Sequence, residues 1–346
     1  MCLHRAMQFA VLAGVVTAVA APLPSQAQEK VLNLYSARHY QTDEALYSEF
    51  TKQTGIKVNR IEAGDEQLLQ RLKAEGANSP ADVLILVDAA RLWRAQIDGL
   101  FQPVNSKVLN ERIPEQLQSN DGTWYGFSTR ARAIVYNKAS VKPEDVDTYE
   151  ELADPKNKGK VCTRSGSHPY MLSLIGSRVE SMGEAGAEKW AQGIVSNMAR
   201  PPRGGDTDQI KAVAAGECGV AVTNSYYWVR LMRSSDPKDR EVVSKVGFVW
   251  PNQSGAGVHL NIAGGGVAKN APNKANAIAF LEYLSSPSAQ TYFANGNNEF
   301  PAAKGAKLNN PELSSLGSFK QEKVAVSLMG KSTIAAQRIL DRVGYK

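Results

Sequence analysis

Tyrosine and histidine side chains are concentrated in three short segments of the sequence, at 36–40, 165–170 and 223–228. Each segment follows a short apolar stretch typical of a β-strand and precedes a stretch with the periodicity of an α-helix. In a fold of alternating strands and helices, the carboxyl ends of the strands face the ligand cleft. We therefore expect one region of the protein to collect these side chains: His39, Tyr40, His168, Tyr170, Tyr226 and Tyr227.

A group of converging tyrosines indicates a site for ferric iron. A single tyrosine at a junction between a loop and a helix usually packs its ring and leaves its hydroxyl in water. Ferric ion is small, hard and triply charged, and it prefers anionic oxygen donors. A phenolate is a stronger donor than a carboxylate because the phenol holds its proton more tightly, with a pKa of about 10. The metal must displace that proton, so we expect binding to weaken as the pH falls.

The elements that position the first segment follow an alternating order. Strands are predicted at 31–36, 56–61 and 81–87, and helices at 43–54 and 66–75. This repeated strand–helix–strand order predicts a largely parallel sheet with helices on both faces.

A second unit of the same kind follows. The segment 127–136 is predicted as an extended crossing, after which short strands recur at 160–162 and 219–222. The stretches 246–251 and 255–266 are predicted to form a return crossing. The expected fold class is therefore α/β, with two lobes that are each a mainly parallel sheet flanked by helices. Two crossing strands join the lobes and leave a ligand cleft between them.

The N-terminal residues have the features of a cleavable signal peptide. His4 and Arg5 precede the uncharged apolar run 9–21, which is too short to span a bilayer, and the small residues of Ser-Gln-Ala at 25–27 suit a signal peptidase. We assign 1–27 as the signal peptide. Cys2 lies before the apolar run and not after it, so we expect a soluble periplasmic product without a lipid anchor.

Removal of the signal leaves two cysteines, Cys162 and Cys218. An even count in a chain bound for an oxidising compartment predicts a disulfide. A zinc site is a poor alternative, because two cysteines without a second pair or nearby histidines do not provide the usual four ligands.

Charge and motifs exclude several functional classes. The formal net charge is +6, but the Lys and Arg residues are spread along the chain, so we do not expect nucleic-acid binding. The glycine-rich stretch 255–266 lacks the Gly-Lys-Ser or Gly-Lys-Thr of a phosphate loop. The sequence also contains no serine-centred elbow, no metal-hydrolase motif and no pair of carboxylates suited to acid–base catalysis, so we do not expect an enzyme.

Several motifs together resemble the ferric-ion-binding proteins of bacterial ABC iron importers. These are Ala-Arg-His-Tyr, Gly-Ser-His-Pro-Tyr and Thr-Asn-Ser-Tyr-Tyr-Trp in the three segments, with Asn-Leu-Tyr-Ser at 33–36, Thr-Arg-Ala-Arg at 129–132 and Glu-Phe-Pro at 299–301. The resemblance covers the mature chain. It implies a type II periplasmic binding protein, monomeric, that docks in its closed form on the permease of an inner-membrane ABC importer. We place lobe 1 at 28–129 plus 253–303 and lobe 2 at 130–252 plus 304–346.

The resemblance also implies the metal ligands. It assigns the adjacent pair Tyr226 and Tyr227, with Tyr170, from the second lobe, and His39 and Tyr40 from the first. One branch of the family has this His-Tyr pair and a mid-chain tyrosine, and it needs no carboxylate or bound anion. Another branch uses one histidine, one glutamate, the tyrosine pair and a phosphate or carbonate.

The presence of Tyr40 and Tyr170 favours the first branch. Whether His39 or Glu66 completes the set of ligands remains open, as does the need for an anion and the binding of ferrous iron.

Two arginines are candidates to offset the charge of the site. Four phenolates around a ferric ion leave a net charge of about −1, which is costly in a closed cleft. Arg230 follows Tyr226 and Tyr227 by four and three residues on the predicted helix, close enough to approach either hydroxyl. Arg130 lies on the predicted crossing strand, where the family places an arginine that faces the metal or its anion.

The remaining histidines receive structural roles. His168 precedes Pro169, which biases it toward an extended backbone, and we expect it not to bind the metal. His259 is isolated in the sequence and is also expected to be structural.

A binding protein for a small organic solute, such as a polyamine, thiamine or a phosphonate, is the alternative, because the same fold carries these solutes. A cage for an organic cation requires acidic residues beside the aromatic ones, and the three segments contain none.

Overall fold

The structure is a computed structural model that describes residues 30–38 and 42–346, apart from the side chains of 326 and 327. The predicted signal peptide at 1–27 and the two predicted ligands His39 and Tyr40 lie outside the described residues. No helix in the described part of the chain combines the length and apolar character needed to cross a bilayer.

The described residues form a mixed α/β fold. The strands are β1 Val31–Ser36, β2 Lys57–Glu62, β3 Val83–Leu86, β4 Tyr125–Asn137, β5 Val161–Cys162, β6 Val220–Asn224, β7 Val246–Val249, β8 Leu260–Val267 and β9 Phe300–Pro301. The α-helices are α1 Asp43–Thr54, α2 Asp65–Glu75, α3 Ala89–Ile97, α4 Lys107–Arg112, α5 Pro169–Asn197, α6 Asp206–Ala214, α7 Ser225–Met232, α8 Pro237–Lys245, α9 Lys274–Leu284, α10 Pro287–Asn297, α11 Pro311–Ser315 and α12 Val326–Val343.

One continuous sheet runs through the molecule in the order β2-β1-β3-β8-β4-β6-β5, with β7 and β9 also paired to β4. The pairs β1–β2, β1–β3 and β5–β6 are parallel, as the strand–helix–strand order predicts. The pairs that β4 and β8 form are antiparallel. The sheet is therefore more mixed than we predicted, because the crossing strands run against the strands of both lobes.

Strand β4 carries the chain from one lobe to the other. Its first half pairs with β8 from Tyr125 to Ala131, and its second half pairs with β6 from Arg132 to Tyr136. Twelve of its thirteen residues are buried. The predicted extended crossing at 127–136 is thus one long central strand.

Two large hydrophobic cores lie on either side of this crossing. The first includes Leu34, Phe50 and Leu84 and draws residues from 32–127 and 262–303, together with Met329. The second includes Leu174, Trp190 and Leu340 and draws residues from 131–260 and 336–345. The predicted two-lobed α/β fold is confirmed. Met329 in the first core and Leu340 in the second show that α12 spans both.

Helix α12 approaches the first lobe closely at a glycine. A Cβ atom placed on Gly330 would lie 2.4 Å from the Cβ of Trp93 on α3. That distance is shorter than any contact between non-bonded carbon atoms, so α12 can pack this closely on α3 only with glycine at position 330. Farther along its length the helix packs on α5, which opens with the predicted ligand Tyr170.

The predicted disulfide is confirmed. Cys162 ends β5 and Cys218 lies two residues before β6, and their Cα atoms are 5.8 Å apart. Both residues are buried. The bridge ties the chain just before the two segments that carry Tyr170 and Tyr226.

Candidate metal site

Tyr226 and Tyr227 open helix α7 at the carboxyl end of β6. Residues Val220–Asn224 of β6 are all buried, and Asn224 is the extended residue after which the helix begins. The two ring centroids are 4.2 Å apart with an angle of 31° between the ring planes. Tyr226 is buried and Tyr227 is partly exposed. A buried strand followed at once by a helix therefore holds the pair at the end of the sheet.

Tyr170 lies in the first turn of α5, where Pro169 is the first helical residue. Its hydroxyl oxygen is 3.2 Å from the hydroxyl oxygen of Tyr226. The structure thus brings together the three tyrosines that the sequence assigned to the second lobe. Phenol oxygens at this separation can bind one metal ion after losing their protons.

Burial sets the protonation state of Tyr170. Desolvation raises the pKa of its phenol to about 12, although the nearby Arg130 guanidinium acts in the opposite direction and Tyr227 raises it further. The hydroxyl is therefore protonated at neutral pH in the absence of a metal. A cation that binds here must supply enough electrostatic stabilisation to release the proton.

His168 caps helix α5. Its Nδ1 accepts a hydrogen bond from the backbone N–H of Tyr170 at 3.2 Å, and its ring lies edge-on to the Tyr170 ring at 4.5 Å. Burial lowers the pKa of the imidazole to about 3, and the positive charges of Arg164 and Arg132 lower it as well. His168 is therefore neutral and its Nδ1 caps the helix, while its expected absence from the metal ligands stays a prediction.

Both predicted arginines lie beside the tyrosines. Arg130 is 1% exposed on β4, and its guanidinium carbon is 5.3 Å from the centroid of the Tyr170 ring. Arg230 is exposed, and its guanidinium carbon is 5.7 Å from the ring centroid of Tyr226 and 5.4 Å from that of Tyr227. These distances fall within the range of cation–π contacts.

Two further arginines contact Tyr170, and sequence reasoning did not identify them. The guanidinium carbons of Arg132 and Arg164 lie 5.8 Å and 5.0 Å from the Tyr170 ring centroid. The buried carboxylate of Asp206 pairs with both. One signal was available, since Arg130 and Arg132 are two charged residues at alternate positions of an otherwise mainly apolar strand and must face the same side of it.

On the first lobe, hydrogen bonds hold both flanks of the segment 39–41. Arg38 is buried and pairs with Asp43 at 2.8 Å and with Glu299 at 3.0 Å. On the other flank, the Thr42 hydroxyl donates to the side-chain oxygen of Asn297 at 2.5 Å.

A cavity of about 510 Å³ separates the first lobe from the start of α5. Its lining comes from the strand ends and α2 of the first lobe and from the Tyr170 segment, namely Ala37, Glu62, Ala63, Gly64, Asp65, Val87, His168, Pro169 and Tyr170. The structure therefore places an interlobe space beside one of the candidate ligands, as expected for a binding protein of this type.

The carboxylates near this cavity are engaged in protein contacts. Glu66, the candidate carboxylate ligand from the sequence, pairs with Arg91 at 3.0 Å and lines a different groove. Asp65 does line the cavity, but its Oδ1 accepts a hydrogen bond from the backbone N–H of Val87 at 2.9 Å, and burial raises its pKa. In the described part of the chain no three or more His, Cys, Asp or Glu side chains form a group that could hold a metal.

His259 has the structural role that we expected. It is buried, and its Nδ1 lies 2.5 Å from Glu322 Oε1 in the second lobe.

Comparison with known proteins relates this arrangement to iron-binding proteins. Residues 45–321 match the family model described as bacterial extracellular solute-binding protein. The chain is 50% identical to iron uptake protein A1 of Synechocystis over 94% of this chain and 90% of that protein. A Trichodesmium protein solved in complex with iron and citrate is 55% identical and superposes with a TM-score of 0.87, over 91% of this chain and 100% of that one. The ferric binding protein of Campylobacter jejuni is 39% identical, with a TM-score of 0.86 over 91% and 100% of the two chains.

Proposed function

The chain belongs to the family of bacterial extracellular solute-binding proteins, and from that premise we propose that it binds ferric iron through tyrosine phenolates and delivers it to an ABC importer. The iron uptake protein of Synechocystis and the iron-bound Trichodesmium protein support iron as the solute, and the ferric binding protein of Campylobacter jejuni supports its ferric state. Members of this family bind and carry a solute, so the protein performs no chemistry on its cargo.

The observation that carries the proposal is the approach of two tyrosine hydroxyls at the end of the second-lobe sheet, with the ring of a third tyrosine beside them. The hydroxyl oxygens of Tyr170 and Tyr226 approach to 3.2 Å, and the Tyr227 ring packs beside the Tyr226 ring at a tilt of 31°. We propose that these three oxygens form the second-lobe half of the iron site. His39 and Tyr40 complete it from the first lobe, with Glu66 as the less favoured candidate because it already pairs with Arg91.

The positive charges around the tyrosines support an anionic metal centre. Four phenolates and one ferric ion carry a net charge of about −1, which is costly to bury without a nearby cation. Arg130 lies against Tyr170, and Arg230 lies against the tyrosine pair. We propose that these two guanidinium groups stabilise the loaded site electrostatically without binding the metal.

Two lobes joined by crossing strands support a transport cycle in which the lobes close on the solute by hinge motion. Iron binds first to the second-lobe tyrosines, and hinge motion then brings the first-lobe ligands onto it. We propose that the mature protein is a soluble periplasmic monomer after cleavage of 1–27, with lobe 1 at 28–129 plus 253–303 and lobe 2 at 130–252 plus 304–346. The closed, loaded form docks on the permease of the importer in the inner membrane.

A cationic organic solute suits this site poorly. Four guanidinium groups lie within about 6 Å of the Tyr170, Tyr226 and Tyr227 rings, and they would repel a polyamine or thiamine.

Calorimetric titration of apo-protein with ferric citrate, iron-free citrate, a polyamine, thiamine and a phosphonate tests the proposal. We expect saturable one-to-one heat with ferric citrate alone. Binding of an organic solute without any response to ferric citrate would overturn the assignment of iron as cargo.

A further inference from the structure

Asp206 is a buried carboxylate with no role in the ligand set proposed above. It is the first residue of α6 and has no exposed surface. Its Oδ2 accepts hydrogen bonds from Arg132 Nη1 and from the backbone N–H of Asn224 at 2.8 Å, and its Oδ1 accepts one from Arg164 Nη1 at 3.3 Å. A carboxylate is stable in the protein interior only with such partners.

Two of these partners face Tyr170. Arg132 and Arg164 present their guanidinium groups to the same tyrosine ring, at 5.8 Å and 5.0 Å from its centroid. They come from different elements, β4 and the loop after β5. Asp206 is the common partner that holds both of them at this ring.

The third partner leads to the tyrosine pair. Asn224 is the last residue of β6, and it is followed directly by Ser225 and Tyr226 at the start of α7. The Asn224 side chain also accepts a hydrogen bond from Arg132 at 3.1 Å. Asp206 therefore contacts both the arginines that face Tyr170 and the residue that precedes the Tyr226 helix. The hydroxyls of Tyr170 and Tyr226 are the two that approach to 3.2 Å.

We propose that Asp206 is a positioning residue for the iron site, which sets the separation of Tyr170 from the Tyr226–Tyr227 pair and keeps two arginines against Tyr170. The inference rests on the proposed function, because positioning has a consequence only if these tyrosines bind iron. Groups that orient metal ligands from outside typically change metal affinity about 10- to 100-fold when they are mutated.

Glu322 provides a matched control. It is also a buried carboxylate of the second lobe, it pairs with Arg178 at 2.8 Å, and it accepts a hydrogen bond from Ser177. Its remaining partner is His259. A variant of Glu322 therefore reports the cost of neutralising a buried, paired carboxylate whose partners Ser177 and Arg178 lie about two turns beyond Tyr170 on α5.

The test compares Asp206→Asn with Glu322→Gln in the mature protein. Three quantities are measured, namely thermal unfolding of the apo-protein, the visible ferric–phenolate band after loading with ferric citrate, and the rate of iron loss to excess chelator. We expect both variants to unfold at lower temperature. Only Asp206→Asn should shift the band and release iron faster, by about tenfold or more.

A double variant distinguishes the positioning of Tyr170 from a general loss of stability. Asp206→Asn should change the iron off-rate much less in a Tyr170→Phe background than in the wild type, because coupled residues give non-additive effects. Additive effects of Asp206→Asn and Tyr170→Phe on the off-rate would overturn the proposal. So would a visible band for Asp206→Asn at the same position as for Glu322→Gln, with an off-rate within about twofold of the Glu322→Gln value.

If Asp206→Asn does not fold, the variant Arg164→Gln tests the proposal instead. The Arg164 side chain is 13% exposed, and its replacement removes one of the two guanidinium groups that Asp206 holds against Tyr170. Faster iron loss and a shifted band support the proposal, and unchanged values overturn it. A wild-type protein that never develops colour would instead contradict the proposed function itself.

Discussion

The hydroxyl oxygens of Tyr170 and Tyr226 lie 3.2 Å apart although 56 residues separate them in the chain. Tyr170 belongs to the first turn of a helix after β5, and Tyr226 belongs to the first turn of a helix after β6. Because β5 and β6 are parallel neighbours, their carboxyl ends meet at the same edge of the sheet. The approach of these two hydroxyls therefore follows from the topology of the second lobe.

Replacement of Tyr227 by Phe should abolish tight iron binding without harm to the apo-fold. The change keeps the ring that packs beside Tyr226 and deletes only an oxygen on a partly exposed side chain. We expect the stability of the apo-protein to change by less than about 0.5 kcal/mol, as measured by thermal unfolding, while the iron off-rate to chelator rises by more than the roughly 100-fold that loss of a ligand-orienting group can cause.

Tyr283→Phe is the control for this variant. The Tyr283 hydroxyl donates to the backbone oxygen of Leu46 in the first lobe, so its removal should lower stability slightly and leave iron binding unchanged. Equal iron retention by Tyr227→Phe and Tyr283→Phe would remove Tyr227 from the ligand set.

Replacement of His39 by Ala should be milder than loss of a tyrosine. We expect the second-lobe tyrosines to capture iron without the first lobe, and water can take the place of the imidazole. The chief effect should be faster release to a competing chelator, with colour and capture retained. If His39→Ala lost both colour and affinity while Tyr226→Phe kept them, the tyrosine pair would not be the core of the site.

Neutralisation of Arg130 should weaken iron binding more than neutralisation of Arg230. Arg130 is buried, so solvent screens its charge little, although the Glu299 carboxylate lies 3.7 Å from it, whereas Arg230 is exposed and screened by solvent. Competition titrations of Arg130→Gln and Arg230→Gln against a ferric chelator measure the difference. A larger loss with Arg230→Gln would reverse the roles that we propose for the two groups.

Iron affinity should fall as the pH falls. Burial raises the pKa of Tyr170 to about 12, so its phenol is protonated across the neutral range and iron must release that proton. The logarithm of the affinity should therefore rise with pH by about one unit per pH unit for each phenol deprotonated. Tyr170→Phe should reduce this slope by about one. An unchanged slope in the variant would show that Tyr170 stays protonated in the complex.

Cys162 and Cys218 should resist thiol reagents in native and in denatured protein until a reductant is added, because they are joined in the structure. Loop closure over the intervening residues predicts that reduction lowers the free energy of unfolding by about 3 to 4 kcal/mol. Thiol titration in denaturant and unfolding curves with and without reductant provide the measurements. Two reactive thiols in denatured, unreduced protein would contradict the bridge.

Much of the arrangement of the second-lobe tyrosines could be predicted from the sequence because its signals are local. The adjacency of Tyr226 and Tyr227, the apolar strand before them and the Pro169–Tyr170 helix start are all visible within a few residues. The cysteine count predicted a disulfide that the structure contains.

The residues that we propose to position these tyrosines could not be predicted in the same way. Asp206, Arg132 and Arg164 lie far apart in sequence, and only the packing of α6 against β4 brings their charges together. The antiparallel pairing of β4 with β8 also depends on long-range contacts that a periodic pattern does not encode.

Visible titration of colourless apo-protein with ferric citrate tests the central claim most directly. If phenolates bind the iron, a charge-transfer band should appear and saturate at one iron per protein. The band should bleach with a strong chelator at low pH, and it should be lost in the Tyr226→Phe/Tyr227→Phe double variant but not in Tyr283→Phe. No absorbance change at stoichiometric iron, or an undiminished band in the double variant, would contradict tyrosine ligation of ferric iron by this protein.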